Sequence, residues 1–212
     1  PLMMLSFLMR KCLPAVSTSI LILLTIVGYP AFAHHPFDMS NIDEISTFQA
    51  LISGLGHPLL GPDHLLFMLG IALLGLKRSK KWVLPLLAVG LGGSAFVQLQ
   101  PLPDLLVPWA EALVSASLAI EGLIVLNFLS SKWLLPMFAL HGYLLGSTIV
   151  GAEPTPLIGY FLGLMLSQVA LLLLVTEVSQ RSITWLGGNG RIFTAGVWIG
   201  IGSAFSWVAL VD

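Results

Sequence analysis

Two histidines and an aspartate stand at the start of an apolar segment, in the stretch GLGHPLLGPDHLLFMLG of residues 54–70. His57, Asp63 and His64 follow the pattern H-x5-D-H, with prolines and glycines among them. Ionisable side chains within a membrane are expensive to insert and are functional candidates by default. Imidazole and carboxylate groups together suit nickel, cobalt, zinc or iron, and the carboxylate offsets part of the charge of the cation. The spacing therefore predicts a site for a divalent transition metal ion.

A structural explanation of the same residues stays open. In that alternative Asp63 caps a helix N-terminus, where a negative charge is stabilised, and the two histidines lie at the membrane interface. Met68, one turn beyond His64, is interpreted as packing rather than as a soft ligand.

Further ionisable residues lie deeper in apolar stretches. His141 is ninth in the charge-free interval 133–152, and Glu121 is near the middle of another apolar stretch. We predict that these two form a second, midplane metal site, with a hydrogen-bonded structural pair as the alternative. Glu111 and Glu153 lie nearer the predicted outer face, where each is either an entrance ligand or a solvated carboxylate.

The amino-acid composition indicates that these residues belong to an integral membrane protein. Of 212 residues, 57% are hydrophobic and only 9% are charged, with a mean hydropathy of +0.96, whereas soluble domains carry about 25% charged residues. The net charge of -1 says nothing about nucleic acid, and no basic run with interleaved aromatics suggests it, so no nucleic-acid partner is expected. The single cysteine, Cys12, excludes a disulfide framework and a thiolate metal site. No prosthetic group is expected.

Charge-free intervals predict an all-α bundle of about six transmembrane helices, each of about 20 residues. Four intervals contain no charged residue: 82–103, 133–152, 154–176 and 192–211. Two further predicted spans carry charged residues within them: 61–76 and 108–130. Residues 34–212 are predicted to form a single membrane domain. Three G-x-x-x-G pairs indicate close helix packing and allow a homo-oligomer: Gly142/Gly146, Gly159/Gly163 and Gly196/Gly200.

The segment before the first predicted span is broken. Residues 46–60 are too short to cross a bilayer, Ser46 is a candidate N-cap, and Gly61-Pro62 disfavours a continuous helix. We expect a half-helix, a break and then a helix. Irregular backbone within a membrane is tolerated where it lines a cavity, so the break is predicted to hold the H-x5-D-H residues in one.

Residues 1–33 are typical of a signal peptide, because a basic pair precedes an apolar run that ends in Ala31-Phe32-Ala33. An uncleaved helix is the alternative. Cleavage would make His34 and His35 a terminus able to capture metal. Six spans after this segment place all nine lysines and arginines inside, which predicts a bacterial-type inner membrane with the mature N-terminus outside.

The stretch GHPLLGPDHLLFMLGIALLGL resembles the signature of the HupE/UreJ family of small membrane permeases, linked to nickel and cobalt supply for hydrogenase and urease. The family block H-P-x-x-G-x-D-H is matched by His57, Pro58, Gly61, Asp63 and His64. The resemblance implies an export signal, a histidine near the mature N-terminus and about six helices.

A second block of the family, roughly F-H-G-x-A-H-G followed by a glutamate, is matched only in part. His141, Gly142 and Gly146 carry over, but Leu145 stands where the family has its second histidine. Glu121 is not part of that pattern and is a candidate substitute.

These observations predict a permease, not an enzyme, that imports nickel or cobalt through the bilayer. His57, Asp63 and His64 would bind the ion at the outer mouth, and His141 with Glu121 would receive it. No G-x-x-x-x-G-K-[ST] motif occurs in the sequence, so transport would be secondary, driven by the membrane potential, or powered by a partner.

Two alternatives remain. One is a zinc-dependent intramembrane hydrolase, for which Ser94, Ser117 and Ser147 are available. The other is a non-transporting accessory subunit of a membrane complex. Retention of metal through dialysis would favour the hydrolase, because a carrier must release its ion.

Overall fold

The computed structural model describes residues 45–74 and 79–211, and these form helices with no strand among them. The all-α prediction is therefore confirmed. The predicted signal segment 1–33 and the candidate ligands His34 and His35 lie outside the described residues.

Six helices follow one another along the described chain. They are α1 (Thr47–Leu60), α2 (Pro62–Leu73), α3 (Val83–Leu99), α4 (Val107–Val125), α5 (Leu134–Ser147) and α6 (Pro154–Val211). Short 3-10 turns at Ser79–Trp82, Asp104–Leu106 and Ser131–Trp133 precede α3, α4 and α5. Gly187 interrupts α6 with φ 60° and ψ -174°, a backbone conformation that glycine adopts without steric penalty.

Four helical stretches in the described residues are long and apolar enough to cross a membrane: Lys80–Leu99, Asp104–Val125, Pro154–Ser179 and Thr184–Val211. The chain is thus an integral membrane protein. The predicted count of six spans is not confirmed, because α2 has 12 residues and α5 has 14, fewer than the roughly 20 needed. Proline at the start of α2 and the turn at Gly151, with φ 91°, after α5 limit these two helices.

The predicted break before α2 is confirmed. Ser46 caps α1: its Oγ accepts from the Gln49 amide at 3.2 Å, and the Gln49 side chain accepts from the Ser46 amide at 3.0 Å, a reciprocal capping box. Gly61 is extended, with φ -74° and ψ 111°, and Pro62 begins α2. Proline is tolerated at the first helical position because its missing N–H would have no helical partner there.

Glycines set the closest helix contacts around this break. A Cβ added at Gly142 on α5 would lie 1.9 Å from the Gly90 carbonyl oxygen on α3. One added at Gly163 on α6 would lie 2.1 Å from the Leu51 carbonyl oxygen on α1. These backbones approach so closely only because no side chain separates them. The first half of α6 is thereby held against α1, and α5 against α3.

Candidate metal site

Three histidines from three helices meet beside the break. His57 is in the last turn of α1, His64 begins α2, and His141 comes from the middle of α5. The His57 and His64 ring centroids are 5.6 Å apart, and those of His64 and His141 are 4.9 Å apart. All three residues are buried, none more than 7% exposed. We call this set the histidine cluster.

Two carboxylates stand near the histidine cluster. Asp63, half-buried, interacts electrostatically with His64 and His141. Glu111, exposed near the start of α4, interacts with Asp63 in turn. Asp63 and His64 thus lie together at the start of α2, with Glu111 near Asp63.

A chain of hydrogen bonds extends from His64 through the cluster. His64 Nδ1 lies 2.7 Å from His141 Nδ1, and His141 Nε2 lies 2.8 Å from Ser117 Oγ on α4. Ser117 Oγ donates to the Val114 carbonyl oxygen at 2.5 Å. The sequence indicated Ser117 only as a candidate nucleophile, and nothing in its sequence neighbourhood signals a contact with His141.

A second chain begins at His57. Its Nδ1 lies 2.9 Å from the hydroxyl of Tyr160, which is fully buried on α6. Tyr160 donates to the Leu145 carbonyl oxygen at 2.5 Å, and Thr148 Oγ1 donates to the Tyr160 hydroxyl at 3.1 Å. Tyr160 was not among the residues predicted from the sequence. A phenol within a long apolar stretch is nevertheless a signal, since buried tyrosine hydroxyls need partners.

Aromatic rings pack against one side of the histidine cluster. Phe67, one turn beyond His64 on α2, stacks on His141 with ring centroids 4.1 Å apart and an angle of 20° between the rings. Phe138 lies beside Phe67, 6.0 Å between centroids. Both belong to the buried apolar core. Met68 is also in this core, where the packing interpretation places it.

The structure does not bring Glu121 to His141. The Glu121 carboxylate, 1% exposed, accepts through Oε2 from Trp198 Nε1 at 3.2 Å, and its Oε1 has no hydrogen-bond partner among the described residues. Glu121 follows Ser117 by one helical turn, which carries it about 6 Å along α4 from the level of His141. The alternative of a hydrogen-bonded pair between Glu121 and His141 is therefore wrong. His141 belongs instead to the cluster around His64.

The cluster is not assembled around an ion in this conformation. Within residues 45–74 and 79–211, no group of three or more histidine, cysteine, aspartate or glutamate side chains has the geometry to hold a metal. The 2.7 Å between His64 Nδ1 and His141 Nδ1 is a hydrogen bond, because two nitrogens bound to one tetrahedral ion are about 3.3 Å apart. Side chains must move when an ion binds, but the donor types fit a divalent transition metal.

Helix arrangement and donor set define a polytopic membrane protein with a buried histidine cluster at a helix break. The chain belongs to the HupE/UreJ family: the family model described as HupE / UreJ protein matches residues 21–205. The resemblance found in the sequence is thereby confirmed. This family is associated with nickel and cobalt transport. No curated protein and no solved structure matches the chain.

Proposed function

We propose that this protein is a permease that imports a divalent transition metal ion, nickel or cobalt, across a bacterial-type inner membrane. The observation that supports this most directly is the meeting of His57, His64 and His141, buried, beside Asp63. The free-energy cost of placing three imidazoles and a carboxylate within a membrane protein is offset when these groups bind a cation or one another. Membership of the HupE/UreJ family supports the choice of nickel and cobalt.

The proposed path begins at the outer end of α2. Asp63 and Glu111 attract the hydrated cation by their charge, and the histidine cluster replaces part of its water shell. Glu121, whose Oε1 has no partner among the described residues, is the next carboxylate inward in the proposal. Phe67 and Phe138 lie in the apolar core beyond the cluster, so the ion passes only when these rings move.

The driving force we propose is the membrane potential. A divalent cation that enters a negative interior gains about 4.6 kcal/mol per 100 mV. That gain is sufficient for accumulation without nucleotide hydrolysis. No nucleotide-binding motif occurs in the sequence to suggest another source.

One contact is relevant to the hydrolase alternative, the hydrogen bond between Ser117 and His141. Ser117 is fully buried and its hydroxyl is directed at the Val114 carbonyl oxygen. A serine nucleophile needs its base as proton acceptor and needs access to substrate. Neither condition is met at Ser117, so this contact gives no support to hydrolysis.

The test is uptake of radiolabelled nickel and cobalt by cells that express the protein, compared with His64→Ala at equal expression. Gly92→Ala serves as the matched control, since a Cβ at that position meets nothing within 4 Å. We expect uptake by the native protein and by Gly92→Ala, and its loss in His64→Ala. Absence of uptake by well-expressed native protein would overturn the transport proposal and favour an accessory subunit.

A further inference from the structure

Two buried side-chain oxygens have no hydrogen-bond partner within the part of the chain that the structure describes: Glu121 Oε1 and Gln168 Oε1. Each of these residues is only 1% exposed. Native proteins pair nearly all such atoms, so an unpaired buried oxygen requires an explanation, and binding of an ion is one. Because the two residues come from different helices, α4 and α6, one local distortion does not explain both.

The Glu121 carboxylate lies inward of the histidine cluster, in the direction in which α2 runs from His64. Its Oε2 accepts from Trp198 Nε1 at 3.2 Å. The same oxygen lies against Gly70 on α2, where an added Cβ would overlap the carboxylate. Gly70 follows His64 by six residues, a distance of about 9 Å along the helix. Glu121 is therefore fixed by two neighbouring helices below the level of His64, with one oxygen left without a partner.

Gln168 lies beside an aromatic ring that is also inward of the cluster. A Cβ added at Gly90 on α3 would lie 2.5 Å from Phe138 Cε1 and 3.1 Å from Gln168 Oε1. The Phe138 ring and the Gln168 oxygen thus share the space next to Gly90. Phe138 precedes His141 on α5 by about one turn and contacts Phe67, which follows His64 on α2.

The two aromatic rings stand between these oxygens. Phe67 and Gly70 are three residues apart on α2 and are neighbours on its surface, so the rings begin where the Glu121 carboxylate meets α2. The ring centroids of Phe67 and Phe138 are 6.0 Å apart, and Phe138 in turn meets Gln168. On the proposed path the ion passes only when the rings move, and the space that they leave has an oxygen on each side.

We propose that Glu121 Oε1 and Gln168 Oε1 are ligands of an inner cation site, which forms when Phe67 and Phe138 move aside. This inference rests on the proposed function and adds the point from which the ion is released. The inner site offers a carboxylate and an amide oxygen, whereas nickel and cobalt are well suited by imidazole. The ion is therefore held less firmly at the inner site than at the histidine cluster, and transport requires such weak binding before release.

The first test is Gln168→Leu, which nearly keeps the size of the side chain and removes its oxygen. Because that oxygen has no partner to lose, we expect the variant to be at least as stable to heat as the native protein. Nickel should bind at the histidine cluster with native affinity. The rate of nickel uptake should fall about tenfold, as a barrier raised by about 1.4 kcal/mol implies.

The matched control is Gln98→Leu on α3, because Gln98 does have a partner. Its Nε2 donates to the Gly146 carbonyl oxygen at 2.7 Å. Loss of this hydrogen bond should lower the temperature of unfolding, whereas uptake per folded protein should remain native. A ligand is thus distinguished from a packing residue, since only Gln168→Leu should lose uptake without losing stability.

The second test counts bound ions. Phe67→Ala opens the space between the two oxygens, and equilibrium dialysis of the purified full chain against radiolabelled cobalt measures how many ions it holds. We expect Phe67→Ala to bind one more cobalt ion than the native protein, with lower affinity than the ion at the histidine cluster. Addition of Glu121→Gln or Gln168→Leu to Phe67→Ala should abolish binding of this additional ion.

Native uptake by well-expressed Gln168→Leu would overturn the inner site and leave the proposed function intact. A folded Phe67→Ala that binds no more cobalt than the native protein would do the same. If Phe67→Ala fails to fold, uptake by Gln168→Leu decides. Absence of uptake by the native protein would overturn the proposed function, and the cobalt count in Phe67→Ala would then decide whether the inner site exists.

Discussion

Tyr160 holds His57 through one hydroxyl group in a position with no solvent access. Tyr160→Phe keeps the ring in its packing site and removes only that hydroxyl. The Nδ1 of His57 then loses its contact with the Tyr160 hydroxyl, and we expect nickel binding to weaken about 10- to 100-fold while helical content is unchanged. Isothermal titration of nickel into the purified protein measures this.

The matched control for Tyr160 is Tyr143→Phe. Tyr143 also donates to a backbone carbonyl at 2.5 Å, that of Gln100, and among the described residues its ring packs near Phe96 rather than near a histidine. Removal of the Tyr143 hydroxyl should leave nickel affinity unchanged. Equal weakening in both variants would show that Tyr160 acts through general packing rather than through His57.

Glu121 is a buried carboxylate that accepts a hydrogen bond from Trp198, and within the part of the chain that the structure describes its other oxygen has no partner. In Glu121→Gln the amide oxygen still accepts from Trp198 and the charge is removed. We expect the variant to fold at least as well, because an unpaired buried charge is costly. Nickel should still bind at the histidine cluster, but uptake should fall to the level of His64→Ala.

Glu177→Gln provides the control for Glu121. Its carboxylate forms an exposed ion pair with Lys80, 3.1 Å between Nζ and Oε2, which contributes little. Binding and uptake should both remain native in this control. Native uptake in Glu121→Gln would remove Glu121 from the path.

At the scale of elements, the turn between α1 and α2 sets the position of His64. A Cβ added at Gly61 would lie 2.8 Å from His64 Cδ2 and 3.4 Å from Asp63 Oδ1. Gly61→Ala must therefore displace the imidazole, and we expect about tenfold weaker nickel binding, a difference near 1.4 kcal/mol. Native affinity in Gly61→Ala would show that the ring tolerates displacement without loss of the site.

The control at this scale is again Gly92→Ala, because a Cβ there has open space around it. Alanine is favoured over glycine in a helix by about 1 kcal/mol, so this variant should be slightly more stable to heat. Its nickel affinity should not change. The comparison separates the effect of the turn from that of replacing any glycine.

The elements also show what the sequence could and could not predict. The helix cap at Ser46, which involves Gln49, and the break at Gly61-Pro62 are each specified by residues close together in the sequence. Both features were therefore predictable. The contact between His64 and His141 spans 77 positions and depends on how α5 packs on α3 through Gly142 and Gly90. No local pattern contains that packing, so His141 was predicted as a separate site, paired with Glu121.

At the scale of the whole molecule, the uneven helix lengths limit what composition can predict. A charge-free interval gives the apolar length available, but a helix ends where the backbone turns. The interval 133–152 therefore contains α5 of only 14 residues. The three shortest helices, α1, α2 and α5, are also the three that carry His57, His64 and His141. The site is thus built where the bundle departs from simple spanning helices, as buried irregular backbone in membrane proteins often is.

The whole molecule must also have a source of energy, and the membrane potential is the one we propose. Proteoliposomes with a potassium gradient and valinomycin allow the potential to be set. A gain of about 4.6 kcal/mol per 100 mV corresponds to an accumulation ratio on the order of a thousandfold. We expect radiolabelled nickel to accumulate with an interior-negative potential and only to equilibrate at zero potential. Liposomes with His64→Ala should show neither accumulation nor equilibration of radiolabelled nickel. Accumulation by the native protein at zero potential would contradict this mechanism, because the ion would then need another coupled gradient to move uphill.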